Sequence, residues 1–148
     1  MTFERTTFAP LPQKFEAGTP HVAGAIGLHA AIDWATTIGM DAIESHEDAL
    51  LALATERLHA IPGVRIHGES CSKAAVIAFT VDGVHPHDVG TVLDAEGVCI
   101  RAGHHCCAPL MQRFGVAAMA RASFGPYNVD SDVDALASGL ERVRELFA

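Results

Sequence analysis

The spacing of apolar positions along the chain changes character four times. From Gly24 to Thr37 the residues Ala, Ile and Leu crowd together with few charges, which predicts a buried helix that Gly39 stops. Ile43, Leu50, Leu51, Ala54 and Leu58 then recur at helical spacing, and the helix they predict should end near "AIPG", where Pro62 and Gly63 punctuate. Beyond that point the period shortens to two. "VRIHG" alternates like a strand, and "AAVIAFTV" reads as a second, more buried one. The link "ESCSK" between them is short and polar, so an antiparallel hairpin is expected.

Helical spacing returns in "HPHDVGTVLDAEG", with Pro86 in the first turn and Val89, Val92 and Leu93 facing inward. "VCIRAG" is a third strand and "MARASF" a short fourth. The tail from Ser131 to Phe147 sets Val133, Leu136, Leu140 and Val143 on one helical face. Before all this, the first twenty residues carry Pro10, Pro12 and Pro20 and show no period, as an extended arm would. The order is helix, helix, strand, strand, helix, strand, strand, helix. It predicts an α+β domain over residues 21–148: a small, mostly antiparallel sheet with helices packed on one side.

Composition narrows the possible functions. At 148 residues the chain can bury a core without staples. A formal net charge of -8 argues against binding a nucleic-acid backbone. No apolar run approaches a membrane span, and "MTFERTTFAPLPQKF" lacks the apolar core of a signal peptide, so the cytoplasm is the expected compartment. In a reducing compartment Cys71, Cys99, Cys106 and Cys107 should be thiols, ligands or catalysts rather than bridges.

Chemistry concentrates in "CIRAGHHCCAPLMQRFGV". A reactive cysteine keeps cationic neighbours that favour the thiolate. Arg101, His104, His105 and Arg113 all lie close in sequence to Cys106 and Cys107, and Gly103 suggests a turn that would put the thiol on a loop. Cys71 and Cys99 read as small buried hydrophobes, Cys99 within a strand. A metal site is disfavoured, because four consecutive ligand-type residues cannot easily converge on one tetrahedron, and an iron–sulfur site built with Cys71 and Cys99 lacks the usual spacing. The residues alone thus give a loop thiol with cationic neighbours and no reaction. In isolation Arg121 reads as a salt-bridge arginine, Thr19 as a turn residue beside Pro20, and the two histidines as loop hydrogen-bonders.

"RAGHHCCAPLMQRFGV", followed by "ARASF" and "YN", closely resembles the C-terminal region of SufS-type (group II) cysteine desulfurases, members of the pyridoxal-phosphate-dependent class V aminotransferase family. "KFEAGTP" and "IGLHAAIDW" match earlier signatures of the same family in the same order. The resemblance implies the C-terminal small domain of a fold-type I pyridoxal-phosphate enzyme. It implies that Cys106 accepts sulfur from L-cysteine as a persulfide, giving L-alanine, for iron–sulfur cluster assembly. Arg121 would hold the substrate carboxylate, Arg101 would border the pocket, and His104 or His105 would assist proton transfer. Thr19 would reach the cofactor phosphate of a second subunit in a homo-oligomer, and a SufE- or SufU-like protein would take the sulfur. Cys107 stands where the family commonly has alanine, and could compete for the persulfide by thiol exchange.

The family's large domain also carries a Schiff-base lysine in a Ser-x-His-Lys context. This chain has two lysines, Lys14 and Lys73, and neither has that context. The expectation is a truncated product, a separately encoded half or a piece of a larger protein, which needs a large-domain chain for activity. The alternatives are a persulfide carrier, a partner-binding module and an inactive remnant.

Overall fold

A computed structural model describes residues 3–70 and 72–148. The chain divides into two compact units, Met1–Met40 and Asp41–Ala148.

In the first unit the arm is irregular apart from a single 3-10 turn, Gln13–Phe15. Helix α1, Val22–Ile38, ends at Gly39, whose φ of +94° suits a residue without a Cβ. None of its residues is buried. Ile26, Leu28, Ile32 and Trp34 are each more than half exposed. The burial expected from the sequence is therefore corrected. Apolar composition marks a helix that needs covering, and says nothing about whether the same chain supplies the cover.

The second unit is an α+β layer. Its four-stranded antiparallel sheet runs in the order β1 (Val64–His67), β2 (Val76–Val81), β4 (Met119–Ser123), β3 (Arg101–Gly103). Alternation along β2 buries Ile77, Phe79 and Val81 and leaves Val76, Ala78 and Thr80 half-buried. In register beside them, Ile66 of β1 lies opposite Phe79, and Ala120 and Ala122 of β4 lie opposite Phe79 and Ile77. One face of the sheet is thus the core face.

Three helices cover that face: α2 (Met40–His59) with Leu50, Ala54 and Leu58, α3 (Pro86–Ala95) with Val89 and Leu93, and α5 (Asp130–Phe147) with Val133, Leu136, Leu140 and Val143. Phe79 is fully buried at the centre. Gly139 of α5 faces Leu93 of α3 so closely that an added Cβ would stand 2.5 Å from Leu93 Cδ2.

The helix α5 is anchored at its start by Asp132, whose Oδ2 accepts from Val129 N at 3.1 Å and Asn128 Nδ2 at 2.9 Å. These bonds, Asn128 first, hold the carboxyl below its ordinary range. Among the described residues no helix is long and apolar enough to cross a membrane.

Two local readings change. The third strand is shorter than "VCIRAG", starting at Arg101, so Cys99 lies outside it and is exposed rather than buried. The helix α4, Ala108–Phe114, follows the cysteine pair and is absent from the element order read from the sequence; Pro109 lies in its first turn and Gly115, φ +68°, closes it. Cys71 lies outside the described residues.

Candidate active site around Cys106

The strands β3 and β4 pair so that Arg101 stands directly opposite Arg121. Opposite residues in an antiparallel pair share a face, and Ala120 and Ala122 occupy the core face of β4. Both arginines therefore project from the other face of the sheet. In the same cross-strand row come Ala78 of β2 and His67 of β1. His67 meets the Phe114 ring edge-on, with ring centroids 5.3 Å apart, and its Nε2 is 3.0 Å from Thr80 Oγ1. The helix α4 is thereby tied to the same face as the two arginines. Burial, and secondarily the charge of Arg65, hold the His67 pKa below its ordinary value.

Between β3 and α4 the backbone turns sharply. His105 and Cys106 both adopt left-handed conformations, φ +53° and +58°. Side-chain-bearing residues pay for that conformation, and such strain gathers where a turn must aim a side chain. Cys107 N closes the turn by donating to His104 O at 2.8 Å, and Cys107 O accepts from Leu110 N at 3.0 Å, so α4 pins the turn from its far side. Cys106 is exposed, and Arg101 Nη2 points at its sulfur from 3.7 Å. This places a fixed positive charge beside a presented thiol, the surrounding in which reactive cysteines are found.

His105, next to that thiol in the chain, is half-buried with both ring nitrogens shielded from solvent. Neither ring nitrogen finds a hydrogen-bond partner, and Arg121 Nε is likewise buried and unpartnered. Burial first, then Arg121, Arg101 and His104, lower the His105 pKa, while the Met119 backbone acts the other way at a geometry short of a full bond. Burial and the two guanidinium groups therefore favour the neutral imidazole and oppose a positive charge on it. Two like charges directly opposite in a ladder are unfavourable, and the unpartnered Nε adds an unmet donor. The arrangement becomes favourable once an anion lies between the arginines.

Cys106, Arg101, Arg121, His104 and His105 are thus brought to one neighbourhood. Thr19 belongs to the other unit, Met1–Met40, where it sits exposed at a bend. Sequence spacing missed His67 and Phe114, although the alternation of "VRIH" already put His67 on the face away from Ile66. Among the described residues no group of three or more His, Cys, Asp or Glu side chains is arranged to hold a metal.

Pyridoxal phosphate asks for a lysine in the site. Lys14 Nζ lies 5.3 Å from the Phe15 ring centroid in the other unit. Lys73 Nζ reaches Gly68 O at 3.4 Å and lines a cleft with Glu44, Asp48 and Glu69, which contains none of the Cys106 group. Among the described residues of the unit Asp41–Ala148, no lysine stands with the Cys106 group, so that unit does not by itself complete a site for the cofactor.

The family model for aminotransferase class V matches residues 1–136. A probable cysteine desulfurase of Halalkalibacterium halodurans is 52% identical over 142 residues, which is 96% of this chain and 35% of that protein. One from Streptomyces coelicolor is 49% identical over 149 residues, 99% of this chain and 36% of its own length. The crystal structure of a cysteine desulfurase from Escherichia coli superposes with a TM-score of 0.84 at 41% identity, covering 100% of this chain and 37% of the other. The chain therefore spans about a third of the length of the relatives it matches. It belongs to the aminotransferase class V family and is a homologue of cysteine desulfurases.

Proposed function

We propose that this chain is the C-terminal, sulfur-accepting portion of a SufS-type cysteine desulfurase, made of an arm over residues 1–20 and a small domain with its preceding helices over 21–148. The observation that carries the reading is the pairing of Arg101 with Arg121 beside the presented Cys106 sulfur. Two fixed cations at a strained turn suit two anions: a thiolate and an amino-acid carboxylate. Arg121, half-buried with a fork of donors, binds the carboxylate of L-cysteine. Arg101 borders the pocket and steadies the Cys106 thiolate. His104, exposed on the same turn, or His105 assists the transfer of the thiol proton.

The sulfur of L-cysteine is left on Cys106 as a persulfide, with L-alanine as the other product. In a complete enzyme, pyridoxal phosphate would supply the electron sink for cleaving the substrate's carbon–sulfur bond. A large-domain chain or a second subunit supplies its lysine, and Thr19 reaches its phosphate. The persulfide passes to a SufE- or SufU-like acceptor in the cytoplasm, for iron–sulfur cluster assembly.

A second reading, a persulfide carrier loaded by another enzyme, rests on the exposure of Cys106 together with the missing lysine. One pair of assays separates the two. The chain is mixed with a cofactor-loaded large-domain fragment and L-cysteine, and alanine release is measured. In parallel it is loaded by an intact desulfurase, and the persulfide is located by mass spectrometry. Alanine release lost in Cys106→Ser supports the desulfurase reading. Loading of Cys106 without alanine release supports the carrier. Sulfur absent from Cys106 in both assays overturns both.

A further inference from the structure

The reaction above leaves the Cys107 thiol unused. It is exposed, and its side chain makes no capping bond to α4, although it occupies the position where a capping side chain would bond. Its backbone, in contrast, is held at both ends of the turn by the bonds to His104 and Leu110. The thiol is therefore carried on a fixed backbone and is itself uncommitted.

We propose that Cys107 is a second sulfur site, which takes the sulfane sulfur from Cys106 and presents it to the acceptor; this rests on the reading of Cys106 as sulfur acceptor. In the step, the Cys107 thiolate attacks the outer sulfur of the Cys106 persulfide. A new sulfur–sulfur bond forms at Cys107, and the bond between the outer sulfur and Cys106 Sγ breaks with its electron pair going to Cys106. The Cys107 thiol proton goes to solvent, and Cys106 leaves as a thiolate. One neutral sulfur atom moves between two thiols, so no oxidant or reductant is needed.

Two physical points favour this direction and this outcome. The departing thiolate is the one that Arg101 Nη2 faces at 3.7 Å, and a stabilised leaving thiolate departs faster. The competing reaction is attack on the inner sulfur, which closes a Cys106–Cys107 disulfide and expels hydrosulfide. Adjacent Cα atoms are about 3.8 Å apart, below the roughly 4.4–6.8 Å span that an unstrained disulfide requires. The outer sulfur stands a further ~2 Å along the chain of atoms, so reaching it avoids that strained ring.

The test follows sulfur in time. The full chain is loaded with a small persulfide donor (cysteine persulfide), trapped with an alkylating agent at intervals, and each cysteine is read by tandem mass spectrometry. The wild type should load Cys106 first, with Cys107 following after a lag. Cys106→Ala should slow Cys107 loading by tenfold or more, and Cys107→Ala should lengthen the lifetime of the Cys106 persulfide in the presence of an acceptor thiol. If Cys106 loads and Cys107 stays bare, or if Cys107 loads equally fast in Cys106→Ala, the relay is overturned while the reading of Cys106 stands. If Cys106 never loads, both fall together. Loss of the lag accompanied by a Cys106–Cys107 disulfide and free hydrosulfide overturns the relay in favour of ring closure.

Discussion

Gly139 and Leu93 offer a sharp test of how α3 and α5 pack. Replacing Gly139 by alanine sets two effects against each other. Alanine is the better helix former by about 1 kcal/mol in a helix interior. Its Cβ would stand 2.5 Å from Leu93 Cδ2, and Leu93 is fully buried and cannot swing into solvent. Overpacking of this kind costs about 1–3 kcal/mol. The single variant should therefore be destabilised by about 0–2 kcal/mol, the difference of the two terms. Leu93→Ala alone opens a cavity and should cost about 2–5 kcal/mol.

The double variant carries the argument. With the leucine gone, the new Cβ meets no clash and fills part of the vacancy, so the helix preference is recovered in full. The double should be more stable than the sum of the singles by about 1–3 kcal/mol, well beyond the ~0.5 kcal/mol within which independent sites add. Urea unfolding of the four proteins, followed by circular dichroism, gives the coupling directly. Additivity within that margin would refute the close approach of the two helices.

Other outcomes follow from the same structure. Leu140→Ala, fully buried, should cost about 2–5 kcal/mol, whereas Leu28→Ser on exposed α1 should stay within about 0.5 kcal/mol; thermal unfolding of the two variants compares them. Arg101→Ala should slow iodoacetamide labelling of Cys106 about two- to fivefold, the range expected for an exposed charge contact; an unchanged rate would remove Arg101 from the thiol's surroundings. His67 and His105 should titrate by NMR below a free imidazole. Because their folded pKa values lie below the unfolded ones, the unfolded chain binds more protons as pH falls through about 6.5. Their contribution to stability is thus present above that pH and lost below it, and His67→Gln should flatten the slope of stability between about pH 7 and 5.

Much of the fold was legible because period and burial agreed. Ile77, Phe79 and Val81 alternate and all face the core, and Val133, Leu136, Leu140 and Val143 keep one face of α5. Legibility failed where one signal had to stand for two causes. The apolar run of α1 predicted burial, and its residues are exposed, because composition reports a need for cover and not its source. Val98, Cys99 and Ile100 carry strand-like residues, yet the ladder begins only at Arg101, since pairing depends on where β4 runs and not on local preference. The helix α4 was hidden by its brevity: seven residues give too few turns to show a period. At the site, motif residues named Cys106, Arg121 and Arg101, but His67 escaped because only the sheet register reveals the row it shares with them.

That register is also what makes the site a single object. Arg101 and Arg121 are twenty residues apart in sequence, and they meet only because β3 and β4 pair with Gly103 opposite Met119. Slipping the pairing by one residue would turn Arg101 to the core face and leave Arg121 without its partner. With only three residues, β3 cannot enforce the register by itself. The turn at His105 and Cys106 and the docking of α4 on His67 hold the connection between the strands, so the strained backbone that presents the thiol lies within the segment that fixes the arginines. Loosening α4, as in Phe114→Ala, should therefore weaken anion binding at Arg121 and lower Cys106 reactivity together, while the core-face residues stay packed. Chemical-shift titration with a small carboxylate and iodoacetamide labelling, run on the same variant, test the link. A loss of one property with the other intact would show that the thiol turn and the arginine pair are positioned independently.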